Sequence, residues 1–553
     1  MKQAKYIIAT LVASVAVTAC TKNFEEYNTN TNSLSQGSIA PISMLEPLLF
    51  GQTQNHAKYM LSIANEISQV TVAKTTPRRE HCYNLSDQDY TNIWDRCYLD
   101  ATDSKHMYDL AVDQDDVNFQ AIALTMKVYY LSIVTDMFGS IPYSEALLGS
   151  QGITQPIVES QQSVYTQMMA ELELANSLYD TTIGMSDNTK DGMFGGDIAK
   201  WKRFTNSLHL RLLMRVAGRS SSFSPSVEER FAKIVNDQAT YPIFTSNDDD
   251  ASVKYTGSST EYYNYFNTVN FSTESALSSD HHISSQFLDM IYDDAAGYTD
   301  PRLYVWIKAR YTASSIYDMI GAPSGSTIEH NSLSSRTPNE PYLHYETLVH
   351  NSGETYWMCY DELLFILAEA AMKGWISGSA QEYYEAAVTA SCQKWGAYGE
   401  LARFPFEKDS AVTTNSVAID SSAINTLLAS DRAKWDGTEQ RLAEQKWLSL
   451  FWVVGFQMYH EMRRTGYPEC KVGEGVIELN KSDGKFIARY AYPMISIANN
   501  RANYEVAMAE MGLTVDADDN IVTPVWWSGQ AVAADAGTPW DHTFRTLEIA
   551  YED

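Results

Sequence analysis

The sequence predicts an all-α fold with long irregular loops and a few short strands. Three observations carry this expectation: apolar residues recur every three or four positions through long segments, strictly alternating runs are few, and capping residues or glycines mark segment ends. Helices are expected over 44–72, 86–112, 118–138, 160–178, 197–218, 358–374, 380–396 and 437–464. Ser160, Asp361 and Ser379 suit helix starts, because a short polar side chain there accepts a hydrogen bond from an unpaired backbone N–H. Gly139, Gly218, Gly374 and Gly396 suit the ends. Short connections make successive helices antiparallel neighbours that bury one another's apolar faces. Between 201 and 216, Trp201, Phe204, Leu208, Leu212 and Val216 form a core stripe, with Arg211 and Arg215 four apart on the adjoining face.

Two stretches break the helical pattern. Residues 241–356 are rich in Ser, Thr, Asn, Gly and Tyr and read as long ordered loops carrying small strands. Loops of this length in a compact protein carry function or are disordered, and the tyrosine density argues for order. Residues 402–415, followed by a short helix, are less aromatic and read as structural.

The chain opens with Lys2 and Lys5, an apolar run from Tyr6 to Val17, then Thr18, Ala19 and Cys20. A positive start, a short apolar segment and small residues before a cut site describe a secretory signal, so residues 1–19 are expected to be removed. Val17, Thr18, Ala19 and Cys20 resemble the bacterial lipobox, in which the cysteine takes a lipid; an ordinary signal with a chance cysteine is the alternative. A lipidated Cys20 would tether a water-soluble body, since stable anchoring needs more than one acyl chain. The apolar segment 447–459 falls short of the roughly 20 residues that span a bilayer, and residues 20–553 are expected to form one continuous unit.

The 553 residues carry a formal charge of -29, which removal of Lys2 and Lys5 makes more negative still. Such a surface repels nucleic acid and anionic headgroups but tolerates neutral ligands such as sugars. Apart from Cys20, the cysteines are Cys82, Cys97, Cys359, Cys392 and Cys470, an odd number, so at least one stays unpaired within the chain. Cys82 and Cys97 are close enough to close a short loop, or both are buried free thiols. No cysteine and histidine cluster has zinc spacing.

Several blocks now resemble one group. NFEEYNTNTNS (23–33), AIALTMKVYYLSIVTDMFGSIPYSEA (121–146), WKRFTNSLHLRLLMRV (201–216), DPRL (300–303), YDELLFILAEAAMKGW (360–375), EQKWLSLFWVVGFQMYHEMRRTGYP (444–468) and RYAYPMISIANNRANYEVAM (489–508) are similar, in order, to blocks of the SusD/RagB family of outer-membrane lipoproteins. The resemblance implies a tetratricopeptide-like helix-pair scaffold, a place on the outer membrane at the cell surface, a SusC-like TonB-dependent transporter as partner, and neither catalytic residues nor a cofactor. Most of these blocks read physically as scaffold. Arg463 and Arg464 precede Gly466, where cations oppose the partial negative charge of a helix end; alternatively one of them pairs with Glu444, Glu461 or Glu505 in bidentate fashion.

A neutral, hydroxyl-rich ligand calls for flat rings flanked by polar side chains. Three clusters offer them. The first is Arg78, Arg79, Tyr83, Asp87, Tyr90 and Trp94; Trp94 is also a candidate core anchor, because Tyr98 and Thr102 share its helical face. The second is Tyr255, Tyr262, Tyr263, Tyr265 and Phe266, interleaved with polar residues as in adaptable recognition surfaces. The third is Tyr304, Trp306, Tyr311 and Tyr317. Ligand contacts are expected from Arg78, Tyr83, Trp94, Tyr262, Tyr263, Tyr265 and Trp306, with pinning of the loops as the rival role. No metal site is expected: the stretch 516–520 lacks the glycine and glutamate of a calcium loop, Asp248, Asp249 and Asp250 read as a solvated turn, and His281 and His282 are adjacent rather than four apart. No serine elbow, phosphate loop or HExxH is present. The expected function is capture of oligosaccharides as the lid of the transporter; a peptide-importing lid and a scaffold without a small ligand are the rivals.

Overall fold

The computed structural model describes residues 39–73, 80–255, 281–293, 295–308, 322, 324, 341–348, 354–400, 403–404, 415–416, 418–469, 471–472, 486–516, 519–528 and 547–548. Cys20 and the signal, Arg78, Arg79, Tyr262, Tyr263, Tyr265, Phe266, Tyr311, Tyr317 and Cys470 lie outside these residues.

The body is mainly helical. Helices α1 (Ile42–Tyr59), α2 (Asp87–Asp113), α3 (Val117–Phe138), α4 (Gln161–Leu178) and α5 (Ile198–Arg215) form where the periodicity places them, except that the helix expected over 44–72 turns π-helical over Met60–Ala64, ends by Ile67 and gives way to a strand at Thr71–Ala73. Ser160 caps α4 by accepting from the Ser163 N–H at 3.3 Å, and Gly139 ends α3 at a φ of 94°. α2 packs on α3, α3 on α4, and α4 on α5, and the five stripe residues of α5 are all buried. A further helix, α6 (Val227–Asn236), follows, held by a capping box between Ser226 and Glu229.

Among the described residues, one helix is long and apolar enough to cross a membrane: α3, at a mean hydropathy of 1.3, with 94% of that window buried inside the protein.

The middle region carries short strands, as its composition indicates. In chain order these elements are β1 (Thr71–Ala73), which precedes α2, then β2 (Ala251–Lys254), β3 (His281–Ile283), α7 (Ser285–Ile291), β4 (Tyr292–Asp293), β5 (Tyr298–Thr299), α8 (Leu303–Trp306), β6 (Ile307–Lys308), β7 (Tyr342–Leu343) and β8 (Glu354–Met358). One antiparallel sheet has the order β1-β3-β7-β6, with Thr71 opposite Ile283, His282 opposite Tyr342 and Ile307 opposite Leu343. β2 pairs with β8, and the register shifts between Tyr356 and Met358. At the centre, the Trp357 ring stacks on Tyr129 at 4.4 Å, its Nε1 donates to Thr53 Oγ1 at 3.1 Å, and its carbonyl accepts from Arg211 at 2.8 Å. One strand residue thereby ties α1, α3 and α5 together.

Helices α9 (Tyr360–Met372) and α10 (Ala380–Gly396) pack as a pair, and α11 (Ser421–Ala429) follows. Ser379 caps α10 as expected. The helix expected at 437–464 is two, α12 (Glu439–Ser449) and α13 (Gln457–Thr465). Between them Trp452, Gly455 and Phe456 take φ values of 67°, 81° and 61°, outside the helical region, and the Val454 N–H donates to the Tyr356 carbonyl of β8 at 2.9 Å. An all-apolar run reads as an unbroken helix; here burial on every side supports an irregular crossing instead. Two final helices, α14 (Met494–Asn499) and α15 (Arg501–Glu510), complete the described body. One cluster of buried apolar residues runs from Ile42 to Trp527.

Candidate ligand surface

The four-stranded sheet fixes where two candidate stretches attach. β1 leaves it at Ala73 and β3 enters it at His281, and these two residues are register partners. The stretch 74–79, with Arg78, therefore begins beside the point where 256–280, with Tyr262, Tyr263 and Tyr265, rejoins the body. Adjacent strands stand about 4.8 Å apart, so the two attachments are neighbours. At the other attachment of 256–280, Tyr255 is buried, with its hydroxyl 3.3 Å from Thr355 Oγ1.

The other rings expected at a ligand lie in the core. Trp94 is 7% exposed, its ring enclosed by Tyr98 at 4.9 Å, Phe138 at 5.0 Å, Tyr492 at 6.1 Å and Tyr504 at 6.5 Å. Tyr83 is 1% exposed, in the left-handed region at a φ of 59°, with Phe486 edge-on at 5.8 Å. Trp306 is fully buried between Phe287, Trp395 and Phe451. In this arrangement none of the three presents a ring face to solvent. The packing role foreseen for Trp94 describes all three. The reason is local: Trp94 and Trp306 sit on helical turns whose neighbours are themselves aromatic, so ring area is buried against ring area.

Several charged residues of the quoted blocks face inward and are paired there. Arg211 forks onto Glu362 with both contacts at 2.6 Å, and Lys394 holds Asp361 at 2.8 and 3.0 Å. Arg302 binds Asp300, then reaches Ser391 on α10 at 3.0 Å and Gln445 on α12 at 3.2 Å. Arg464 forks onto Glu369 of α9 at 2.8 and 2.6 Å and also pairs with Glu461. Arg463 donates at 2.7 Å to the carbonyls of Asp136 and Ala488. Asp136 accepts from Tyr165, from Trp527 Nε1 at 2.9 Å, and lies 3.3 Å from Arg215. Burial raises the Asp136 pKa against the opposing pull of Arg215. Burial would do the same to Glu461, but Arg464 and Lys446 hold it down to about 2.

Cys97, Cys359 and Cys392 are buried free thiols, so no bridge joins Cys97 to Cys82. The turn expected to be solvated at 248–250 is so only at Asp248: Asp249 is buried and pairs with Arg203, and Asp250 accepts from the Tyr360 N–H, while Asp516 pairs with Arg501 and Asp519 with Arg489.

A family model described as SusD-like, starch-binding and associating with the outer membrane matches residues 31–493. The chain belongs to this SusD-like family. Its members are binding proteins, not enzymes. Among solved structures, a SusD homologue from Bacteroides fragilis is similar at a TM-score of 0.71 and 23% identity, over 88% of this chain and 99% of its own. A SusD homologue from Bacteroides uniformis matches at 0.69 and 21%, over 90% and 100%. A chitin-binding SusD homologue from Flavobacterium johnsoniae matches at 0.65 and 24%, over 88% and 98%. At these identities the structures establish a shared fold for the SusD-like chain. Among curated proteins, none matches.

Proposed function

We propose that the SusD-like chain is a cell-surface glycan-binding lipoprotein. In this reading residues 20–553 act as one unit anchored in the outer membrane through a lipid on Cys20, capture oligosaccharides and close as a lid over a SusC-like TonB-dependent transporter. The observation that carries the reading is membership of a family described as starch-binding and outer-membrane-associated over residues 31–493. The adjacent attachments of the Arg78 and Tyr262–Tyr265 stretches support a common ligand surface.

The division of labour follows from burial. Arg78 donates to ligand hydroxyls, and Tyr262, Tyr263 and Tyr265 stack on the apolar C–H faces of sugar rings. Tyr83, Trp94 and Trp306, all buried, hold the frame. Closure over the transporter requires that the ligand bind the closed state more tightly than the open one, because a ligand of equal affinity for both shifts nothing. A chain carrying a formal charge of -29 favours neutral saccharides over acidic ones.

The test is a glycan and peptide panel read with the full chain purified in detergent, together with recovery of a barrel partner from outer membranes. Saturable binding to one class of neutral oligosaccharide, with the barrel co-purifying, is the expected outcome. Binding confined to peptides would assign the lid to peptide import, and a barrel complex with no ligand at all would leave only a scaffold.

A further inference from the structure

The SusD-like body carries a groove that the surface above does not use. It has a volume of about 790 Å³, within the roughly 300–1,000 Å³ usual for small-ligand sites. One wall is the β4–β5 hairpin and α8, contributing Tyr298, Pro301 and Tyr304; the other is α11 and the turn after it, contributing Thr426, Leu427 and Ser430. Arg432 joins the walls by pairing with Asp293 at 2.8 Å. It also borders a smaller cavity of about 150 Å³ that includes Gln69, Gln286 and Trp447.

The hydrogen-bonding capacity of the groove is one-sided. Thr426 donates its proton to the Ser422 carbonyl at 2.9 Å and Ser430 donates its own to the Leu427 carbonyl at 2.6 Å. Each hydroxyl is left with acceptor lone pairs. Asp420 and Asp431, also on the lining, are acceptor-only when ionised. The Tyr298 hydroxyl, buried beside the groove, has no partner among the described residues. Apolar surface from Tyr298, Pro301 and Tyr304 on one wall and Leu427 on the other, set among acceptors, asks for a ligand with apolar faces and many O–H donors. Asp420 caps α11 through the Ala423 N–H at 2.9 Å and keeps its second oxygen, Asp431 pairs with Lys434, and Arg432 is taken by Asp293, so the lining offers an anion no open cation.

We propose that this groove is a second oligosaccharide subsite, with Tyr304 as its stacking ring and Thr426, Ser430 and Asp420 as acceptors; for the ligand class it rests on the glycan-binding reading above. Arg432 lines both this groove and the smaller cavity.

The test is calorimetric titration of the full chain in detergent with chitohexaose and with maltoheptaose, comparing wild type, Tyr304→Ala, Thr426→Val and the triple variant Y262A/Y263A/Y265A. Thr426 is exposed, so its variant keeps the fold if Tyr304→Ala does not. Both groove variants should weaken at least one probe by roughly five- to tenfold with unchanged thermal midpoint. Wild-type affinity in both groove variants, with loss only in the triple variant, overturns the subsite and leaves the principal surface standing. Loss only in the groove variants sustains the subsite and overturns the principal surface. No binding of either probe by the wild type overturns both.

Discussion

Arg464 shows how a single side chain does two jobs. It lies in the last turn of α13, where its charge opposes the helix dipole, and it reaches Glu369 of α9 and Glu461 of its own helix. Both roles were legible: Gly466 marks the helix end, and Glu461 is three residues back on the same face. Glu369 was not, because nothing in the sequence says that α9 packs beside α13. Glu461→Gln leaves Arg464 and Lys446 under-compensated, and breaking a buried pair typically costs about 3–5 kcal/mol. The sign of its pH dependence follows from a folded pKa of about 2 against the ordinary value of 4.5. The stabilisation is full above pH 4.5 and is lost as pH falls toward 2. Thermal midpoints of wild type and Glu461→Gln should therefore differ most at pH 6 and converge toward pH 2. Trp94 gives a second prediction. Trp94→Ala should lower stability by about 3–5 kcal/mol in a denaturant titration, whereas Trp94→Phe should keep ligand affinity within twofold. A ring that touched ligand would instead lose affinity at constant stability.

At the scale of elements, long amphipathic helices were readable because periodicity and caps agreed, as at Ser160 and Ser379. α6 was missing from the expected helices, because its ten residues make a short signal even with Ser226 and Glu229 boxing its start and Val227, Phe231 and Ile234 buried. α14 and α15 are shorter still or exposed, and α15 buries little beyond Tyr504, Ala507 and Met508. The crossing at 450–456 was hidden, since its residues are apolar throughout and only tertiary pairing with β8 breaks the helix. Gly455 makes that crossing possible. Its φ is 81°, and an added Cβ would come within 3.3 Å of Ile133 and 3.4 Å of the Tyr129 hydroxyl. Gly374 has a similar φ of 74° and nothing within 4 Å. A left-handed conformation costs an L-residue about 1–2 kcal/mol, so Gly374→Ala should cost that alone. Gly455→Ala should cost more, read as the shift in denaturation midpoint.

Across the whole molecule, the ordered blocks of the sequence turn out to be the parts that hold one another. Arg302 with Ser391 and Gln445, Arg211 with Glu362, and Glu369 with Arg464 join segments far apart in the chain around one core. This division explains what the sequence reading of the site achieved. Burial cannot be read from ring content, so Tyr83, Trp94 and Trp306 were grouped with the polar, tyrosine-rich stretches although they belong to the scaffold. The sheet register, also unreadable from one sequence, is what brings the attachments of the Arg78 and Tyr262–Tyr265 stretches side by side. The wall of α11 opposite Tyr304 had no aromatic signal at all.

The most direct measurement is the affinity of the full chain for its best-bound oligosaccharide, compared between wild type and the triple variant Y262A/Y263A/Y265A, with thermal midpoints recorded in parallel. At about 1–1.5 kcal/mol per lost stacking ring, affinity should fall at least a hundredfold while the midpoint stays within a degree or two. Undiminished affinity in the triple variant, or loss of affinity only together with loss of the fold, would contradict a glycan surface built on those tyrosines.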